Sequence, residues 1–245
     1  MQGAGTPETP YIPETWEEFL SVIKKAGCYV KLPDSGGVYD LNTIYPDGGA
    51  YIEINASFID GNNWEIRNAY NSHWSTETFN DKTIDNLHIL DLYQDNGSDY
   101  EYIIYNRYIT FNNCKFSGII SGNNRCLFGH DSYGLNRCSV NVKFSGNSHQ
   151  LNSNSMNYQF CNIRIDHTGS TADNNSSKSA MKCTNSFLEH HTNESGYVLA
   201  ATGYSDIIHS DAGSYILNSD GTKINVTEEQ LRDSEYLSSV GFPII

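Results

Sequence analysis

Apolar and polar residues alternate with period two in short runs along most of this chain, but between Thr15 and Gly27 they recur at helical spacing. Thr15-Trp16-Glu17-Glu18 has the form of a capping box, and Trp16, Phe19, Leu20, Val22 and Ile23 follow at helical intervals until Gly27. The pattern predicts a helix there, then a strand at Cys28-Tyr29-Val30-Lys31-Leu32 ended by Pro33. A helix feeding straight into a strand suits the first coil of a stacked β fold. Without a cover, that end would expose apolar side chains and unpaired strand edges.

A short motif, Asn-x-polar-apolar, then recurs. It reads Asn63-Trp64-Glu65-Ile66, Asn86-Leu87-His88-Ile89, Asn113-Cys114-Lys115-Phe116, Asn141-Val142-Lys143-Phe144, Asn162-Ile163-Arg164-Ile165 and, more weakly, Asn185-Ser186-Phe187-Leu188. The steps between these asparagines are 23, 27, 28, 21 and 23 residues. Alternation within each motif marks a strand with one buried face. A step in the twenties accommodates about three short strands and three turns, one coil of a solenoid, so the strands at Trp64, Leu87, Cys114, Val142 and Ile163 are expected to stack in register. The leading Asn suits a corner, where it tolerates left-handed φ and where stacked amides bond along the axis. Chance matches over a β-sandwich are the alternative, and six matches in order at similar steps favour the solenoid.

Past Tyr197 the pattern changes to Tyr197–Ala201 and Ser214–Leu217, and Asp220-Gly221 signals a hairpin turn. Thr227 is placed to cap a second helix, from Glu228 to about Ser239, before the apolar end Gly241-Phe242-Pro243-Ile244-Ile245. The expected fold is therefore all-β: a single-stranded right-handed parallel β-helix with an N-terminal capping helix and a short C-terminal helix. Its parts are an extended, loose arm over 1–14, the capping helix and first strand over 15–33, the β-helix over 34–224, and the C-terminal helix and tail over 225–245.

Composition sharpens this picture. Hydrophobic residues make up 38% of the 245 and charged residues only 18%, so the polarity is largely uncharged, with 27 asparagines. Seventeen tyrosines and ten phenylalanines argue for a folded chain. A net charge of −14 argues against a nucleic-acid partner. No apolar stretch approaches a membrane span, and Met1–Pro10 lacks the form of a secretory signal. Six cysteines without a CxxC motif are expected to be reduced and core-facing.

Candidate chemistry is sparse, and neither a cofactor nor a metal is expected. An adjacent Asp-Asp, a Gly-His-Gly and an Arg-x-Lys would mark a polygalacturonase-like hydrolase, and Gly129-His130-Asp131 is the nearest approach. Asp166-His167 beside Arg164 offers an acid/base pair, with a polar turn as the simpler reading. His190-His191 with His209 and Asp211 has ligand-type residues at no recognised metal spacing. Asp95, Asp99 and Glu101 form an acidic loop. Lys115, Lys143 and Arg164 are expected at like positions on a solvated face. No catalytic residue is assigned.

The stretch Thr15–Pro33 resembles the helix-then-strand lead-in of phage tailspikes and other pectate-lyase-like β-helix proteins. The end, Asn225–Ile245, with Thr227-Glu228-Glu229-Gln230-Leu231 and Gly241-Phe242-Pro243, resembles the ends of structural proteins of phages and prophages from low-GC gut bacteria. The resemblance implies a virion component assembled in the bacterial cytoplasm: a short spike, a decoration protein or a head or tail appendage. Neither the particle-binding domain nor the receptor or trimerisation domain of full tailspikes is evident. The implied partners are other virion proteins, itself as a homo-oligomer such as a trimer, and a surface glycan, with no nucleic acid and no membrane. Gly241, Phe242, Pro243, Ile244 and Ile245 are the expected docking residues. The alternative is a carbohydrate-active β-helix, lyase or hydrolase, or a glycan-binding module without catalysis.

Overall fold

The structure, a computed structural model, describes residues 1–76, 81–95, 102–105, 108–123, 126–129, 134–147, 150–152, 156–159, 161–167, 181–184, 186–192, 206–210, 213–217, 222–227, 229–230 and 233–239. Its strands fall into three sheets that the chain visits in rotation. The first holds β1 (Tyr29–Lys31), β4 (Phe58–Asp60), β7 (Lys82–Asp85), β10 (Ile109–Asn112), β13 (Gly134–Asn136), β16 (Met156–Gln159) and β18 (Met181–Thr184). The second holds β2 (Val38–Asp40), β5 (Glu65–Arg67), β8 (His88–Gln94), β11 (Lys115–Asn123), β14 (Ser139–Asn147), β17 (Asn162–His167) and β19 (Phe187–Thr192), and continues through β20 (Asp206–Ser210), β21 (Gly213–Leu217) and β22 (Lys223–Val226). The third holds β3 (Tyr51–Glu53), β6 (His73–Ser75), β9 (Tyr102–Tyr105), β12 (Cys126–Gly129) and β15 (Gln150–Asn152).

From β1 to β20 every pairing is parallel, so the protein is the all-β parallel β-solenoid that the sequence predicts. The last pairings, β20 with β21 and β21 with β22, are antiparallel. Leu217 lies opposite Lys223, so β21 and β22 form a hairpin across the Asp220-Gly221 stretch.

Strand alternation builds the core. Ile66, Ile89, Phe116, Val140 and Ile163 form one buried row, and Val30, Ile59, Ile84, Phe111 and Leu135 another. Phe111, Phe116 and Phe128, one from each sheet, meet on the axis: Phe116 stands edge-on to both others at 5.2 Å.

The first coil is closed by α1 (Trp16–Ile23). The Thr15 hydroxyl accepts the Glu18 N–H at 3.3 Å, as the capping-box pattern predicts, while the Glu18 carboxylate reaches the Glu14 N–H. Trp16, Phe19, Val22 and Ile23 are buried, and the Ile23 carbonyl accepts the N–H groups of Asn55 and Ala56. Tyr39 lies between Trp16 at 5.2 Å and Trp64 at 4.8 Å, linking helix to solenoid. A second short helix, α2 (Leu41–Ile44), is capped by Asp40.

Three expectations need correction. The N-terminal arm is not loose: Tyr11 donates its N–H to Tyr29 and accepts from Lys31, and the Gly5 carbonyl accepts the Tyr29 N–H. Those bonds satisfy the outer edge of β1, which would otherwise be left open. The C-terminal helix is not continuous. Thr227 and Gln230 form a reciprocal cap, but Asp233 is non-helical and its carboxylate caps α3 (Ser234–Ser239).

The third correction concerns register. Trp64, Leu87 and Cys114 do stack, but the chain continues that column with Cys138 and Cys161, not Val142 and Ile163. The left-handed corner before it is taken by Asn63, Asn86, Asn113 and then Arg137. Lys115, Lys143 and Arg164 therefore face solvent as expected but occupy three different rows.

Candidate functional site

Polar residues that end the strands of the first sheet line one corner of the solenoid. There the Asn86 amide donates to Asp60 at 3.0 Å, Asn112 to Asp85 at 2.7 Å, and Asn136 to Asn112 at 3.2 Å. Each bond joins one coil to the next. Burial pushes the Asp85 carboxyl up, against the opposing effect of the Asn112 donor.

Just inside that corner runs a column of thiols. Cys114, Cys138 and Cys161 take equivalent places on successive coils, each almost fully buried, and Ser186 follows. The single S–H of each lies within hydrogen-bond reach of two carbonyls, the one two residues before it and one on the preceding coil: Asn112 and Ile84, Asn136 and Phe111, Gln159 and Leu135, all at 3.2–3.4 Å. The five cysteines whose side chains are described, these three with Cys28 and Cys126, are buried and outside any disulfide, in line with expectation.

The outer face of the second sheet carries a charged cluster. Register brings Glu65, His88 and Lys115 into one row across β5, β8 and β11. A bulge in β8 puts Asp91 at φ 55°, and its N–H donates to the Ser117 hydroxyl at 3.2 Å. Arg67 bonds both carboxylates, Glu65 at 2.6 Å and Asp91 at 3.4 Å. The Arg67 hydrogen bond holds Glu65 below the ordinary carboxylate range.

His88 is only 6% exposed, and its Nδ1 has no hydrogen-bond partner. Burial first, then the Lys115 charge, pushes the imidazole below its ordinary value, with Glu65 opposing. The row thus sets a neutral imidazole beside a carboxylate already committed to a guanidinium.

Further along that face, Tyr70 and Tyr93 stack at 5.2 Å with planes 7° apart. Asp95, expected in an acidic loop, accepts from the Tyr70 hydroxyl at 2.6 Å and the Asn71 amide at 2.9 Å. Its own N–H returns a bond to the Asn71 carbonyl oxygen. Asp95 is thereby a brace between coils, while Asp99 and Glu101 lie outside the described residues.

For the other sequence candidates the structure gives strand register. Asp166 falls in the row of Lys143 and His191, whereas His167 falls in the row of Phe144. Arg164 lies opposite Asn141 and Glu189. His190 pairs with Ile165 and His209 with Glu189. His130, Asp131 and Asp211 lie outside the described residues, as do Gly241, Phe242, Pro243, Ile244 and Ile245. Among the described residues no three His, Cys, Asp or Glu side chains converge on a metal-sized centre, and no helix is long and apolar enough to cross a membrane.

Sequence reasoning missed both the Glu65–His88–Lys115 row and the thiol column. The column had a signal: Cys114, Cys138 and Cys161 are spaced 24 and 23 residues apart, the length of one coil. A groove of about 450 Å³ lies beside the arm, lined by Gln2, Ile12, Lys31, Leu32, Asp34 and Trp64. No protein-family model, no curated protein and no solved structure matches the chain.

Proposed function

We propose that this chain is a structural component of a bacteriophage particle, a short spike, decoration or appendage protein that docks on neighbouring virion subunits. The observation that supports this reading best is axial bracing. Side chains that a binding or catalytic face would leave available are bonded from coil to coil: Asp60 with Asn86, Asp85 with Asn112, Asp95 with Tyr70 and Asn71, and Arg67 with Asp91. With its first coil plugged by α1 and its β1 edge covered by the arm, the solenoid is a self-supporting rod. Such a rod suits a static part of an assembly. The resemblance of both ends to phage proteins supplies the rest of the reading.

The test is to raise antibodies to the protein and probe particles banded on a density gradient from an induced culture of the source bacterium. The reading expects the protein in the particle band at a fixed ratio to the major structural proteins. Recovery only in the soluble fraction overturns it. Deletion of Gly241–Ile245 extends the test, since docking through that segment expects a folded solenoid that no longer enters particles.

A second reading, a glycan-binding or glycan-cleaving β-helix, draws on the exposed tyrosines Tyr51, Tyr70 and Tyr93 of the outer faces. It expects retardation in gels containing a bacterial surface polysaccharide, or release of reducing or unsaturated ends from it.

A further inference from the structure

We propose that the stacked thiols of Cys114, Cys138 and Cys161 form a binding site for a soft, two-coordinate d10 cation, held in line between the sulfurs of adjacent coils. The inference rests on spacing and does not depend on the virion reading. The three sulfurs share one pattern of carbonyl partners, so their side chains share one orientation and repeat along the axis with the coils. Adjacent sulfurs are therefore separated by about 4.8 Å, the distance between paired strands. Two collinear metal–thiolate bonds of about 2.3 Å each span about 4.6 Å. A disulfide of about 2.05 Å would instead pull two in-register coils out of their ladder.

A column repeating along an axis offers two ligands in line and no third, and no three-ligand centre is found among the described residues. That geometry rejects zinc, which needs four ligands in a tetrahedron, and suits a thiophilic ion that is content with two. On binding, two S–H bonds break and two metal–sulfur bonds form. Both protons leave to solvent, and the metal keeps its oxidation state.

A divalent ion then gives a neutral pair of bonds, whereas a monovalent ion leaves a net negative charge among carbonyl oxygens. In so buried a place the neutral product is favoured, so Hg²⁺ should bind more tightly than Ag⁺. The Cys114 N–H, which donates to the Cys138 sulfur at 3.4 Å, remains a donor to the bound thiolate.

Cys138 belongs to both available pairs, so a single substitution removes the site. The chain itself shows that serine fits there. Ser186, next in the column, accepts the Cys161 N–H at 3.1 Å and donates to the Tyr158 carbonyl at 3.4 Å. The experiment loads the full reduced chain with Hg²⁺, then dialyses it against millimolar monothiol, which strips ions held by one cysteine. Retained mercury is measured per folded chain, with circular dichroism confirming the fold.

The wild type and Cys28→Ser should each retain one ion, and Cys138→Ser none. Equal retention by Cys138→Ser, or none by the wild type, overturns the site. Should Cys138→Ser fail to fold, Cys114→Ser and Cys161→Ser each leave one pair and should retain the ion, while the double variant leaves a single thiol in the column and should lose it. Retention by that double variant refutes the proposal equally.

Discussion

Replacing Gln94 with Leu should stabilise the solenoid. Gln94 ends β8 on the inward side, in register with Ile120, which pairs in turn with Phe144, and both of those are completely buried. Gln94 is 1% exposed, and neither its amide nitrogen nor its amide oxygen has a hydrogen-bond partner. Its backbone is well used, since its carbonyl accepts the Ser121 hydroxyl at 2.9 Å, so the strain lies in the side chain alone.

A buried polar group left unsatisfied costs about 1–3 kcal/mol, and here there are two. Leucine removes both penalties, while the change of shape in a packed interior takes back about 1 kcal/mol. The net gain should be about 1–5 kcal/mol. In urea, where m is about 3 kcal/mol per molar for a chain at the upper end of the usual range, the midpoint should rise by about 0.3–1.7 M with m unchanged. Gln94→Glu provides the opposite sign, because it places a charge where the neutral amide is already unpartnered. A destabilised Gln94→Leu would refute the reasoning, for it would mean that the amide holds bonds worth more than the two penalties.

Lowered in the fold by burial and by Lys115, the His88 imidazole binds a proton less readily than in the unfolded chain. Stability from this group is therefore present above the unfolded value of about 6.5 and falls as pH drops below it, a slope that His88→Gln should flatten in urea titrations between about pH 5 and 7. Gly118 faces the β8 bulge at φ 157°, and a Cβ there would stand 2.2 Å from the Leu92 carbonyl oxygen. Gly118→Ala should cost about 2–4 kcal/mol by the same denaturation assay, and a neutral result would mean that the bulge readily relaxes. Asn112→Ala removes both the bond to Asp85 and the bond from Asn136, so a loss of about 1–3 kcal/mol is expected, with faster amide exchange in β10 and β13.

The sequence by itself determined the α1 cap at Thr15, the parallel stacking, the buried face of each strand, and the solvent-facing sense of Lys115, Lys143 and Arg164. Helical and two-residue periodicities are local, and a repeat of coil length leaves few ways to stack them. It did not determine register. A slip of two or four residues keeps every side chain on its proper face, so the pattern is blind to even shifts. The motif therefore slid to Asn141 and Asn162, because Arg137 takes the left-handed corner that asparagine holds earlier.

Only the tertiary structure aligned the corner bonds of Asp60, Asp85 and Asn112, the row of Glu65, His88 and Lys115, and the thiol column. Each depends on which residue lies one coil away. It alone showed the arm pairing with β1 and the antiparallel pairing of β20 with β21. Those contacts satisfy strand edges, and an edge is a property of the assembled sheet.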